Sequence, residues 1–358
     1  MKRLEPISGR AFGRFGCSRR SVIAAGVFGC AQAFSAASLA LRCTRASASS
    51  AAAAGPAVVG GFLSPEGQAA TGAEGNPELE LRDVVEWARA AGLGDFRVTR
   101  SQHFLAVGDA PDAFRKEALE RVCEPLGKAF LDHFRARGFA LEYPEHALVV
   151  IILKDSGSYS RFLGQERDDA VGGHYDLDTN RLVTFDFRSQ GGGQGSTRLN
   201  LFALVHETAH QLAHNTGLLT RTGAIPLAIS EGLATYVEPW RPGAGVRTGI
   251  GAVNRPRLRA IADAGTTDQP WIPIERLVLD DRVFLDRQTE QLAYGESWLL
   301  AHHHLKQRSR LEPFRELLAG LNEAAGKVDR VAVFDRTLGD LDLLDRRLKA
   351  EARQYLTG

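Results

Sequence analysis

Apolar positions along the chain change period several times, and each change predicts an element. The first clear helical spacing covers residues 82–92, with order starting near Leu79. His103 to Val107 reads as a strand. A long amphipathic helix follows over 111–137 and is stopped by Gly138. Ala147 to Leu153 is a continuous β-branched apolar run, the mark of a central strand. Ser158–Phe162 reads as a short helix. Strands around Gly172–Tyr175 and Arg181–Phe187 are joined by the turn signal Asp178-Thr179-Asn180. Leu199, Phe202, Val205, Ala209, Leu212 and Ala213 then recur at helical spacing, with Ser196 or Thr197 as N-cap and Gly217 as stop. Beyond this the pattern is helical throughout. Pro226 opens a short helix that Pro239 closes, and others cover 255–263, 288–306, 311–323 and 340–355. The fold class expected is α+β: a small mixed sheet packed on the 199–213 helix within 79–217, then a mainly helical half over 218–358.

Composition changes the picture mainly at the N-terminus. The chain is 44% hydrophobic and 24% charged, as in ordinary soluble domains. Residues 1–48 hold eight Lys/Arg and one acid, and the remainder carries 36 basic and 42 acidic residues, a net of −6. Such a balance, with no basic stripe on any expected helix, argues against nucleic-acid binding. Ser18-Arg19-Arg20-Ser21-Val22-Ile23 is similar to a twin-arginine export signal. A weakly apolar stretch runs from Val22 to Leu41, and Ala46-Ser47-Ala48 fits a signal-peptidase site. Residues 1–48 therefore read as a cleavable address, with an uncleaved anchor as the rival. The expected location is periplasmic or extracellular, with no stable membrane insertion after cleavage. Residues 49–78, rich in Ala, Gly, Ser and Pro, read as a flexible tether. Three of the four cysteines lie in the address, so Cys123 alone remains and reads as a small buried hydrophobe.

The candidate chemistry lies in the 199–213 helix. Residues 206–210 are His-Glu-Thr-Ala-His. At a spacing of four, His206 and His210 lie one above the other on a single helix face, where both imidazoles reach one ion. Glu207 projects beside them, placed to take a proton from water without ligating the metal. A third histidine six residues after His210 would define a different zinc class, but Thr216 stands there. Glu231, in the apolar setting Leu227-Ala228-Ile229 and Gly232-Leu233-Ala234, instead completes a His₂Glu set for Zn²⁺. The glycine-rich stretch 191–196 lacks the Gly-Lys-Ser/Thr ending of a phosphate loop, which removes nucleotide binding. It is left as a flap or a plain connection. Glu238, seven residues past Glu231, is either a support for a ligand histidine or an exposed helix acid. His214 either orients the site or is a partly buried helix histidine. His302-His303-His304 cannot converge on one ion, because successive helical residues point about 100° apart.

His-Glu-x-x-His followed by Glu231-Gly232-Leu233-Ala234-x-Tyr236 resembles the gluzincins of the peptidase MA clan. Gly173-His174-Tyr175-Asp176, Asn180-Arg181 and Ala293-Tyr294-Gly295-Glu296-Ser297-Trp298 extend the likeness over about 100–310, toward an uncharacterised family of secreted bacterial zincin-like proteins. The resemblance implies a zincin-like fold and a zinc metallopeptidase acting on a peptide or protein. It also implies a role for Tyr294, 63 residues beyond Glu231, where related aminopeptidases carry an oxyanion-stabilising tyrosine at the opening of a helix. A packing tyrosine is the alternative, and His174 and Tyr175 are next in line as donors. The amine-binding Gly-x-Met-Glu-Asn segment of those aminopeptidases is missing, so their specificity does not carry over. Arg181–Phe187 is expected at the sheet edge, open to an extended peptide. A rival from another class is an envelope binding protein that keeps fold and metal but cleaves nothing. Glu207, of no use for metal binding alone, favours the enzyme.

Overall fold

The computed structural model describes residues 77–164, 172–186, 194–243, 249–266, 270–324 and 330–357. The expected export signal, most of the tether and residues 191–193 lie outside them.

Six consecutive buried residues, Leu148–Leu153, form the central strand β3. Parallel neighbours flank it: β2 (Phe104–Gly108) on one side and β5 (Arg181–Phe185) on the other. β1 (Arg97–Arg100) and β4 (Gly173–Asp176) close the two edges antiparallel, in the order β1-β2-β3-β5-β4. Side chains alternate across the sheet. Leu105, Val107, Val149, Ile151 and Val183 pack against Val84 of α1 (Pro77–Ala90) and Tyr159 and Phe162 of α4 (Ser156–Leu163). Phe104, Ala106, Val150, Ile152, Tyr175 and Leu182 face the main core. There they share one cluster with α3 (Glu124–Arg135) and α5 (Gln194–Asn215).

The second half is helical: α6 (Leu227–Val237), α7 (Arg255–Thr266), α8 (Ile274–Leu279), α9 (Glu290–Lys306), α10 (Arg308–Glu323), α11 (Arg330–Leu338) and α12 (Leu341–Thr357). In α9 every residue from Leu292 to Leu305 is buried, so this helix is wrapped on all sides. Two glycines let its neighbours approach. A Cβ at Gly232 would lie 2.6 Å from the Ser297 carbonyl oxygen, and one at Gly295 would lie 2.8 Å from that of Arg257. α6 and α7 thus meet α9 at backbone distance.

Several expectations need correction. β5 is interior, and β4 holds the edge that Arg181–Phe187 was expected to hold; residue 187 itself lies outside the described residues. Strand order is a property of pairing, and nothing local in either strand encodes it. β1 went unseen because Arg-Val-Thr-Arg is largely exposed and carries no apolar face. The helix expected over 111–137 is α2 (Asp112–Ala118) and α3 joined through a π turn at Leu119–Cys123. α5 begins at Gln194, so Ser196 and Thr197 lie inside its first turn rather than ahead of it. α8, α11 and a 3₁₀ turn at Asp281–Phe284 were not anticipated. Among the described residues, no helix is long and apolar enough to cross a membrane.

Candidate metal centre

α5 presents His206 and His210 one turn apart, as their spacing requires. α6 crosses it and supplies Glu231. Pro226 opens α6 as expected, and the Leu227 amide at its start donates to Asp281 Oδ1 at 3.0 Å. The three ligand atoms form a nearly equilateral triangle: His206 Nε2 to His210 Nε2 3.1 Å, His206 Nε2 to Glu231 Oε2 3.1 Å, and His210 Nε2 to Glu231 Oε2 3.3 Å. All three residues are at most 1% exposed. His206, His210 and Glu231 are thus brought together as a buried group that can hold a metal ion.

Two features test whether the group fits a cation. Ligand atoms about 2.0–2.1 Å from a tetrahedral ion stand about 3.3–3.4 Å apart, close to the edges of this triangle. Charge points the same way. Glu231 and Glu238 are both buried against His206 with one buried guanidinium, Arg257, so one carboxylate is left for a proton on His206 or a bound cation to balance. Burial opposes a charged His206, but Glu231 and Glu238 overcome it and raise its pKa to about 10. Burial likewise opposes the Glu231 carboxylate, yet His210 and His206 hold it down to about 2. The pocket therefore demands positive charge.

The supports of the ligands were only partly legible. Glu238, left open between two roles, is fully buried, and its Oε1 accepts from His206 Nδ1 at 2.7 Å. An ionised carboxylate only accepts, so Nδ1 carries the hydrogen and Nε2 turns to the triangle. Glu238 is held in turn by Asn254 Nδ2 at 2.6 Å and by Arg257 through Nε at 3.0 Å and a second nitrogen at 2.6 Å. Sequence reasoning missed Asn254 and Arg257, which lie on and just before a different helix. His210 Nδ1 meets Ser230 Oγ at 3.2 Å, and Ser230 Oγ stands 3.5 Å from His214 Nε2. His214 is buried and stacks on Tyr175, so it belongs to the site's surroundings.

Glu207 is fully buried next to His206. Tyr294 is 2% exposed and sits edge-on to the His206 ring, with centroids 6.3 Å apart. It lies inside α9, in its second turn, rather than ahead of a helix. Burial pushes its phenol pKa up, and the Glu231 carboxylate adds to this, so the hydroxyl keeps its proton. Of the reserve donors, Tyr175 stacks on His210 and gives its hydroxyl to Asn180 Oδ1 at 2.6 Å. His174 points to the other sheet face, where Nδ1 meets the Tyr159 hydroxyl at 2.7 Å. The three consecutive histidines do not converge: His302 packs on Trp298 and Tyr355, His303 meets Glu351, and His304 stacks on Phe314. Cys123 is buried, with Sγ 3.8 Å from Thr208 Oγ1.

Fold and site together define a mixed α+β protein with a buried His₂Glu centre built on the crossing of α5 and α6. Residues 200–328, which hold every ligand and support just described, match a family model described as a protein of unknown function, DUF1570. No curated protein matches the chain.

Proposed function

We propose that the chain is an exported zinc metallopeptidase of gluzincin type, with a zincin-like fold, acting on a peptide or protein substrate. One observation carries the reading: Glu207, of no use to metal binding, directly follows His206 on α5, is fully buried, and stands close enough to Tyr294 for its charge to act on the phenol. When bound, zinc supplies Lewis acidity for the scissile carbonyl and brings the pKa of water toward neutrality. His206, His210 and Glu231 hold it, and Glu238 fixes the His206 tautomer. The Glu207 carboxylate takes a proton from water and delivers it to the leaving amine. The Tyr294 hydroxyl donates to the oxyanion as it develops. Residues 1–48 then serve as a twin-arginine-type export signal.

One observation favours the rival. His206, Glu207, His210, Glu231 and Tyr294 are all at most 2% exposed, which suits a centre that binds metal and cleaves nothing. Metal analysis with digestion of a diverse peptide library separates the two. About one zinc per chain is expected in the wild type and in Glu207→Gln, with turnover at least ~10²-fold lower in the variant. A folded protein that takes up no added zinc overturns the centre. Zinc without cleavage gives the binding protein, and zinc lost in Glu207→Gln removes the assigned role of that residue.

A further inference from the structure

Arg257, near the start of α7, is 4% exposed and touches three of the elements that build the centre. Its edge chelates both oxygens of Glu238, just past the end of α6. Its Cζ lies over the Tyr294 ring of α9, 4.8 Å from the centroid, and 5.7 Å from the Phe202 ring centroid. Phe202 stands on α5 one turn before His206. A third nitrogen reaches Gln291 Oε1 of α9 at 3.5 Å.

We infer that Arg257 is the positioning residue of the centre, clamping the carboxylate that orients His206 and the ring of Tyr294 with one planar group. Glu238 Oε1 is shared between the guanidinium at 2.6 Å and His206 Nδ1 at 2.7 Å. Two parallel N–H···O bonds stop that carboxylate from rotating, which fixes the direction from which Nδ1 is addressed and hence where Nε2 points. The chelate fixes the guanidinium, and the same cationic group lies over the Tyr294 ring. A buried ion pair contributes little to stability that an apolar pair would not. What only a guanidinium provides is the combination of bidentate edge and flat cationic face. An ammonium keeps the charge and loses both.

Part of this inference rests on the peptidase reading, and the experiment keeps the two apart. Zinc affinity is measured by chelator competition, and kcat and KM on a cleaved peptide, for wild type, Arg257→Lys, Glu238→Gln, Tyr294→Phe and the double variant Arg257→Lys/Tyr294→Phe. Arg257→Lys should bind zinc about 10- to 100-fold more weakly, and Glu238→Gln should show the same deficit. Its kcat should fall by about tenfold or more with KM little changed. The double variant should be scarcely worse than Tyr294→Phe alone, because the two act as a unit. Unchanged zinc affinity in a folded Arg257→Lys, or fully multiplicative effects with Tyr294→Phe, overturns the inference and leaves an ordinary buried ion pair. Should Arg257→Lys fail to fold, Arg257→Gln, which keeps a planar donor but not the bidentate cation, is read by the same two measurements. If the wild type cleaves nothing, the peptidase reading falls, while the zinc measurements still test the clamp on His206.

Discussion

Gly232→Ala probes the contact that brings Glu231 to the histidines. The added methyl would stand 2.6 Å from the Ser297 carbonyl oxygen and 3.2 Å from its carbon. An ordinary contact needs about 3.5 Å, so α6 and α9 must part by roughly 0.9 Å along that line. The obstacle is helix backbone and cannot swing away as a side chain would. Overpacking of this kind costs about 1–3 kcal/mol. Alanine also gains about 0.5–1 kcal/mol over glycine within a helix, which masks part of the loss. Gly265 in α7 supplies the control, since a Cβ there meets nothing within 4 Å. Gly265→Ala should therefore be neutral or stabilised, and the two variants should differ by about 1–3 kcal/mol, or roughly 2–12 °C in Tm. Because Glu231 immediately precedes Gly232, the displacement reaches a ligand, and zinc affinity should fall in Gly232→Ala alone. Thermal unfolding and chelator competition measure both. If the two variants match the wild type in Tm and zinc affinity, helix contact does not set the site.

Stability should also drop in acid. Burial, with His303 and Arg310 nearby, holds His304 neutral down to about pH 3, whereas an unfolded histidine titrates near 6.5. Between those values the unfolded chain binds a proton that the native one refuses, so this group contributes stability above pH 6.5 that is lost as pH falls, by up to about 1.4 kcal/mol per unit. Burial holds His133, His214 and His302 down likewise, to about 3, 3 and 4. Thermal unfolding at pH 7, 6 and 5 should therefore follow the sum of these groups, and His304→Leu should lessen the slope by one group's share; an identical slope in the variant sinks the assignment. Export should depend on Arg19 and Arg20. Replacing both by lysine should leave the precursor in the cytoplasm, as read by fractionation, and unchanged export would point to another route.

The readable parts of the centre were those set by local geometry. His206 and His210 share a face because a helix repeats every 3.6 residues, and no partner is needed to know it. β3 was readable because a strand buried on both faces leaves an unbroken apolar run. Glu238 could be singled out but not placed, since an acid seven residues past Glu231 looks the same in solvent as against His206. Its partner Arg257 lies 19 residues further on, across a loop and on another helix, beyond any periodic signal.

Yet the long-range part left local traces. Glu231-Gly232 and Tyr294-Gly295 each pair a candidate functional side chain with a glycine. Neighbouring helical residues point about 100° apart. Glu231 can therefore face α5 while Gly232 opens α6 to the Ser297 carbonyl. Tyr294 likewise faces His206 while Gly295 opens α9 to the Arg257 carbonyl. The glycines thin the helices at the crossings, and each crossing delivers the adjacent side chain to the centre. Arg257 sits where these effects meet: its carbonyl lies against Gly295 and its guanidinium lies on Tyr294 and Glu238. A helix that cannot approach Gly295 cannot bring that guanidinium to Glu238, so backbone packing and ligand orientation form one constraint.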